Sequence, residues 1–427
     1  MVVGTIIGAS IFVQPSLVSG AVPSVSGMLL VWAAAGALTL IGALVTAELA
    51  SAFPGTGGVY VFLRESYSPA VAFLWCWAMF WSMHTGIIAA IATVCARYVG
   101  FFVPLGDTGV RVVAIGVILL LSAINYAGVR YGTAVQTTFT IIKVAAVLLI
   151  VAAGFAVSRA SSPLGAPSAR PFVPSLRALV AATVAGLFAF GGWHMVTYTG
   201  DETVNARRTI PRALLIGALA VTASYIAVNA AYLAVLSPAA VASSNRVAAD
   251  FADRVMGSGG AAAMSALVVL STLGAMTGII LTGPRVYLAA AHDGLLFRWI
   301  GAIHPRYGTP HHAIALQAVW ASILVATGTY RALFTRVVYT EWIFFGLMTA
   351  GVFVLRRRAG YAPAYRAWGY PVLPLVFIVS TTVIVFNQLA SDPIESATGL
   401  LIVLAGLPIY YLRIPRLDSR SATHADH

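Results

Sequence analysis

Charge is scarce in this sequence. Asp, Glu, Lys and Arg make up 9% of its 427 residues, against about 25% in an ordinary soluble domain, and a water-facing surface cannot be covered at that density. Lysine is almost missing: Lys143 is the single one, and every other basic residue is arginine. Cysteine is limited to Cys76 and Cys95. They fall on one expected helix about 28 Å apart, too far to bridge within a chain, and read as small apolar filler. The short loop Phe102–Gly109 holds no cysteine, so no disulfide there tethers a partner subunit and none is expected. No HExxH, no His–Asp cluster and no nucleophile beside a base occurs, which speaks against a membrane-embedded enzyme. His292, His304, His311 and His312 crowd in or beside one loop without the spacing of a zinc site. Neither a metal nor any cofactor is expected.

What is present is apolar. Hydrophobic residues make up 60% of the chain and the mean hydropathy is +0.91. About twelve apolar runs, near 1–20, 26–52, 69–102, 109–127, 133–157, 176–199, 211–236, 260–290, 312–329, 332–355, 372–390 and 394–412, approach the ~20 residues that cross a bilayer core. The long third and eighth runs suggest tilted helices or helices that outrun the bilayer. The expected fold is an all-α membrane protein. A net charge of +12 could suggest nucleic acid, but its distribution argues otherwise. With the amino terminus inside, fifteen arginines fall on the cytoplasmic side and nine on the other, a bias that favours both termini in the cytoplasm. The expectation is a multi-pass protein of the cell membrane, with the lipid bilayer as its surroundings and no nucleic-acid partner. The tail after Arg413 reads as short and disordered.

Two of the runs interrupt themselves. The first, MVVGTIIGASIFVQPSLVSG, carries Gly4, Gly8, Ala9 and Ser10 at its centre. Small residues there serve either close helix packing or an unwound stretch whose bare N–H groups bind a carboxylate; the segment alone leaves both open. The sixth run places Gly191-Gly192 among Phe188, Phe190 and Trp193. Paired glycines inside a span weaken the helix and free carbonyls that must be met by something. Two broken helices five segments apart are a pattern of transporters built from two inverted halves.

Six stretches then carry a family likeness, in order along nearly the whole chain: GTIIGASIF (Gly4–Phe12), ELASAFPGTGGVYVFLRESYSP (Glu48–Pro69), NYAGVRYGTAVQTTFTIIK (Asn125–Lys143), LFAFGGWHMVTYTGDETVNARRTIPRA (Leu187–Ala213), GPRVYLAAAHDGLLF (Gly283–Phe297) and HPRYGTPHHAIALQ (His304–Gln317). They resemble the amino acid–polyamine–organocation superfamily of transporters, and most of all its L-type amino acid transporter branch. The resemblance implies a LeuT-type 5+5 inverted repeat plus two trailing helices. In this chain the halves are 1–157 and 158–355, followed by helices eleven and twelve in 356–412 and a tail in 413–427. It implies a secondary active transporter moving amino acids, sodium-independent, by exchange or proton linkage; a polyamine or amine carrier of the same superfamily is the alternative. It also implies that N–H groups of Gly8, Ala9 and Ser10 bind the substrate carboxylate, and that carbonyls of Ile6, Phe188 and Gly191 bind its ammonium. Phe188 would act as an aromatic lid, with Trp342 its outward neighbour.

The chain departs from that branch at three positions. Ser10 replaces the last glycine of the first-helix triplet, which narrows the approach to the carboxylate or adds a hydroxyl. His194 and Glu341 stand where asparagine is common. Each either lines the pocket, favouring a polar or cationic substrate side chain, or meets neighbouring protein groups. Lys143 matches the lysine that, in the resembled branch, occupies the sodium position of sodium symporters. Its three N–H donors suit carbonyls near Gly4 and Thr5 and a hydroxyl such as Ser271 or Thr272, as a charged strut or as a proton carrier. Glu48, Arg64 and Glu65 read as structural or gating contacts, Asp201 and Glu202, near Arg207 and Arg208, as an inner gate or solvated pairs, and His84 as a satisfied bundle histidine. Seven residues precede Gly8, about 10 Å of helix against the ~15 Å from midplane to cytoplasm. Met1 is therefore expected to lie downstream of a longer natural start, or the chain to be a natural truncation.

Overall fold

The computed structural model describes residues 1–8, 10–160, 174–328 and 330–413. Among these the chain is helical throughout, with no strand. The helices are α1 (Val2–Ile6), α2 (Ser10–Ala21), α3 (Val25–Ala52), α4 (Val59–Ser66), α5 (Pro69–Ala78), α6 (His84–Val99), α7 (Asp107–Tyr126), α8 (Val129–Ala160) and α9 (Leu176–Ala189). They continue as α10 (Ala206–Val235), α11 (Pro238–Ser243), α12 (Val247–Met256), α13 (Gly260–His292), α14 (His311–Thr327), α15 (Tyr330–Leu355), α16 (Val372–Ser391), α17 (Pro393–Leu404) and α18 (Gly406–Arg413). Nine described spans are long and apolar enough to cross a membrane, α14 and the 339–355 stretch of α15 being shorter apolar helices. Serine sets several of the starts: Ser24, Ser68, Ser175 and Ser237 each accept a hydrogen bond from the N–H three residues on, satisfying one of the donors a helix leaves bare at its start.

Three irregularities position the site. The first segment breaks between Ile6 and Ser10, where Ile7 is extended (φ −69°, ψ 93°). The sixth ends as an α-helix at Ala189, turns through Gly192 at φ +96° and resumes as a tighter 3-10 segment, Trp193–Glu202. A side chain at Gly192 would pay for its left-handed backbone. The third, α5 to α6, runs through a π turn at Met79–Met83, and such turns are frequent at functional sites.

Helix α13 lies deep in the bundle and its small residues set how closely others approach. A Cβ on Gly274 would stand 2.4 Å from Cβ of Phe139, and one on Gly278 would stand 2.5 Å from Nε2 of Gln136. Bare glycine therefore lets α8 lie against α13, which carries Lys143 to the broken first segment.

Candidate functional site

The two broken helices meet across their breaks. The Thr5 hydroxyl donates to the Val2 carbonyl at 2.9 Å and stands 3.3 Å from that of Gly192. Tyr225, from α10, places its hydroxyl 3.0 Å from the Ile6 carbonyl and 2.9 Å from that of Ala189, so one proton serves the last turns of both half-helices. This tyrosine carries no local sequence signal; its role follows from tertiary packing alone.

Between the breaks lies a small cavity of about 40 Å³. Ile6, Gly8, Ser10, Phe188, Gly191, Glu341 and Trp342 all contribute to its wall, together with Ile87, Ile279 and Phe345, which sequence reasoning missed. Ala9 lies outside the described residues. His194 is placed differently from the pocket-lining expectation. It is fully buried behind the wall, its ring packed against Phe345 at 4.8 Å and Tyr198 at 5.5 Å. Because the 3-10 segment advances about 120° per residue rather than 100°, positions after the break turn away from where an α-helix would aim them. Helix α2 opens at Ser10 and presents the positive end of a half-helix to the cavity, whereas α1 and α9 end there with carbonyls. One wall thus favours an anion and another a cation. Of those carbonyls, Ile6 already accepts from Tyr225 and Phe188 from the Gly191 N–H at 3.1 Å; each oxygen keeps a second lone pair.

Lys143 stands beside the first break, 2% exposed, and donates to the carbonyls of Gly4 at 3.0 Å and Ile7 at 2.8 Å. Gly4 was expected. Ile7 takes the place foreseen for Thr5, because its extended backbone turns the carbonyl out of the helical ladder. The foreseen hydroxyls are engaged elsewhere: Ser271 donates to Gly8 at 3.2 Å and Thr272 to Val269 at 2.7 Å.

One end of the bundle is tied shut below the cavity. Thr56 and Asp201 exchange two hydrogen bonds at 3.0 and 3.3 Å. Asp293 accepts from Tyr60 at 2.6 Å and pairs with Arg64, which also pairs with Glu65 at 2.8 Å. Burial works against the Arg64 charge, yet the two carboxylates more than offset it and hold its pKa above the ordinary value. Arg358 donates to the carbonyls of Glu65 and Ser66, and Arg356 grips the buried Glu48 at 2.8 and 2.5 Å. Glu202 pairs bidentately with Arg285 at 2.8 Å, not with Arg207 or Arg208: those two are exposed at the start of α10, whereas α13 packs against the 3-10 segment. Toward the other end, Phe188, Ile91 and Ser10 remain half-buried. His84 is also corrected: it is wholly buried and neither ring nitrogen has a hydrogen-bond partner.

Known proteins share this sequence pattern from end to end. The chain matches the amino acid permease family over residues 1–410. It is 30% identical to the human large neutral amino acids transporter small subunit 2, covering 97% of this chain and 78% of that protein. It is 32% identical to the mouse Asc-type amino acid transporter 1 (97% and 79%) and 29% identical to the human cystine/glutamate transporter (97% and 83%). A transporter rather than an enzyme, and a multi-pass membrane protein by its apolar helices and its kin, the chain belongs to the amino acid permease family.

Proposed function

We propose that this protein carries amino acids across the cell membrane by alternating access, without sodium, through exchange or proton linkage. The observation that carries this reading is the cavity at the two helix breaks, where a positive half-helix end and turned-out carbonyls face one another. An α-carboxylate suits the N–H groups at Gly8, Ala9 and Ser10; an α-ammonium suits the carbonyls of Ile6, Phe188 and Gly191. Phe188 closes over the substrate, with Trp342 above it, while Glu341 reaches the cavity beside the substrate side chain and His194 backs the wall. The three relatives are named for large neutral amino acids, for Asc-type amino acid transport and for cystine and glutamate, and all such substrates share the α-amino acid group.

The two halves, 1–157 and 158–355, move against each other, with 356–412 as an outer pair of helices and both termini cytoplasmic. The polar ties below the cavity then hold the cytoplasmic side closed. One relative is named as a small subunit. In this chain Cys76 and Cys95 are both buried and the loop Phe102–Gly109 has no cysteine, which supports a carrier without a disulfide-linked partner. Purified protein in liposomes, preloaded with single unlabelled amino acids, tests the reading. At least one amino acid should drive uptake of its labelled form, with choline in place of sodium. Absence of counterflow for every amino acid would refute it.

A further inference from the structure

Beneath the cavity lies a group of polar side chains without partners. His84, at the end of the π turn, His194 and Tyr198 on the 3-10 segment, Tyr287 on α13 and Gln317 on α14 are all buried. No hydrogen bond reaches either ring nitrogen of the two histidines, either phenol oxygen, or Oε1 of Gln317. Glu341 caps the group at the cavity wall, 5% exposed, its Oε1 equally unpartnered.

These groups are neighbours. The rings of His84 and His194 lie 5.7 and 5.5 Å from that of Tyr198. Oε1 of Gln317 and Nδ1 of His84 converge over Gly283, 2.3 and 2.5 Å from where its Cβ would stand. Tyr198 is within electrostatic reach of Glu341 and Tyr287, and His84 of His194. Buried polar atoms are nearly always paired with protein or ordered water, and a polar group this size at membrane depth marks function more often than structure.

We propose that this group forms a hydrated proton-exchange chamber in which Glu341 gains and loses one proton in each transport cycle, coupling amino acid movement to a proton. The proposal rests on the amino acid reading of the cavity. With the cavity open to one solution, hydronium there delivers a proton to the Glu341 carboxylate, and the neutral acid donates its O–H into the chamber. When the cavity opens to the other solution, that proton passes to water on that side. The carboxylate left behind accepts, through water, from the Tyr198 hydroxyl and the histidine N–H groups. One proton is taken up and one released; no other bond changes.

The elements around Glu341 present few competing charges. Tyr198 of the 3-10 segment is within electrostatic reach of it, and His194, His84 of the third span and Tyr287 of α13 gather around Tyr198. Lys143 lies across the first segment and is already bonded to Gly4 and Ile7. On α3 the charged Glu48 is paired with Arg356 at the closed end, where α4 presents Tyr60, Arg64 and Glu65 and is followed by Tyr67; α17 carries Glu395 in its first turn, and α16 places no ionisable group there among the described residues. Glu341 is thus the cavity group with a free acceptor and a supply of donors behind it.

Liposomes holding a pH dye and no internal substrate, offered from outside a labelled amino acid that shows counterflow, provide the test. In the wild type, an inward proton gradient should raise accumulation, and uptake should acidify the lumen in fixed ratio to substrate moved. For Glu341→Gln, acidification per substrate should fall to near zero whatever flux remains. Tyr198→Phe removes a donor to the ionised carboxylate, so the pH midpoint of uptake should rise by about one unit. Net wild-type uptake into substrate-free liposomes without lumen acidification would overturn the proposal while leaving the amino acid reading intact, as would an undiminished ratio in Glu341→Gln. If that variant moves nothing, Tyr198→Phe and His84→Gln decide: a midpoint unmoved in both overturns the proposal. Lack of counterflow for any amino acid in the wild type sinks the underlying reading, and the coupling with it.

Discussion

The ammonium of Lys143 donates to the carbonyl oxygen of Ile7 at 2.8 Å, and Ile7 is where the first helix leaves its helical path. The lysine therefore fills the space behind the break and satisfies backbone that the break exposes. A charged side chain at membrane depth costs roughly 2.5–3.5 kcal/mol on insertion scales, and here that cost is offset by fixing the geometry of the cavity wall.

Lys143→Ala should lower transport at least tenfold while leaving the protein inserted and folded. The substitution relieves the cost of a buried charge but leaves the carbonyls of Gly4 and Ile7 short of a donor, at about 1–3 kcal/mol each. Flux per molecule of surface-detected protein measures this. In the wild type, replacing sodium with choline should leave flux unchanged; an obligatory sodium requirement would remove the lysine from the role of ion substitute.

Phe188→Ala should abolish or greatly slow transport, and Phe188→Tyr or Phe188→Trp should keep part of it. The residue lines the cavity on its half-open side, where an aromatic face excludes water during turnover. Normal flux in the alanine variant would show that the lid lies elsewhere.

Gly192→Ala should cost about 1–2 kcal/mol from its left-handed backbone alone. The added Cβ would also press on the Thr5 carbonyl at 3.2 Å, pushing the two breaks apart. A lower thermal midpoint together with slower counterflow is the expected pair of results; a neutral outcome in both would contradict the close crossing of the first and sixth segments.

Glu202→Gln leaves the guanidinium of Arg285, 2% exposed, without its counter-charge. Breaking a fully buried pair costs about 3–5 kcal/mol. The Glu202 side chain is 45% exposed, so solvent screens part of that and about 1–3 kcal/mol is expected. Thermal unfolding of the purified protein reads the loss directly.

The parts of this site that sequence revealed are those with strong local chemistry. Gly191-Gly192 announces a break because no helix-former would be replaced by two glycines without consequence, and Lys143 stands out because nothing else in the chain is lysine. Glu202 shows the opposite case. Arg207 and Arg208 are its neighbours along the chain, but its partner Arg285 comes from α13, and only packing brings the two together. His84 reads as an ordinary bundle histidine until the helices around it are placed and none offers it a partner. The π turn before it has no glycine or proline to mark it. The bridging hydroxyl of Tyr225 is equally silent in sequence, since its function depends on two carbonyls from two other helices.

The short helix α4 is fastened on three sides. The loop before it holds the sixth segment through Thr56 and Asp201, its own Tyr60 and Arg64 hold Asp293 after α13, and its last carbonyls receive Arg358 after α15. The three ties meet on one short helix, so loosening any one of them shifts load onto the other two. Because Arg64 and Asp293 are each about one-third exposed, ions in the bathing solution weaken that fastening. The strength of this fastening is thereby made a function of ionic strength.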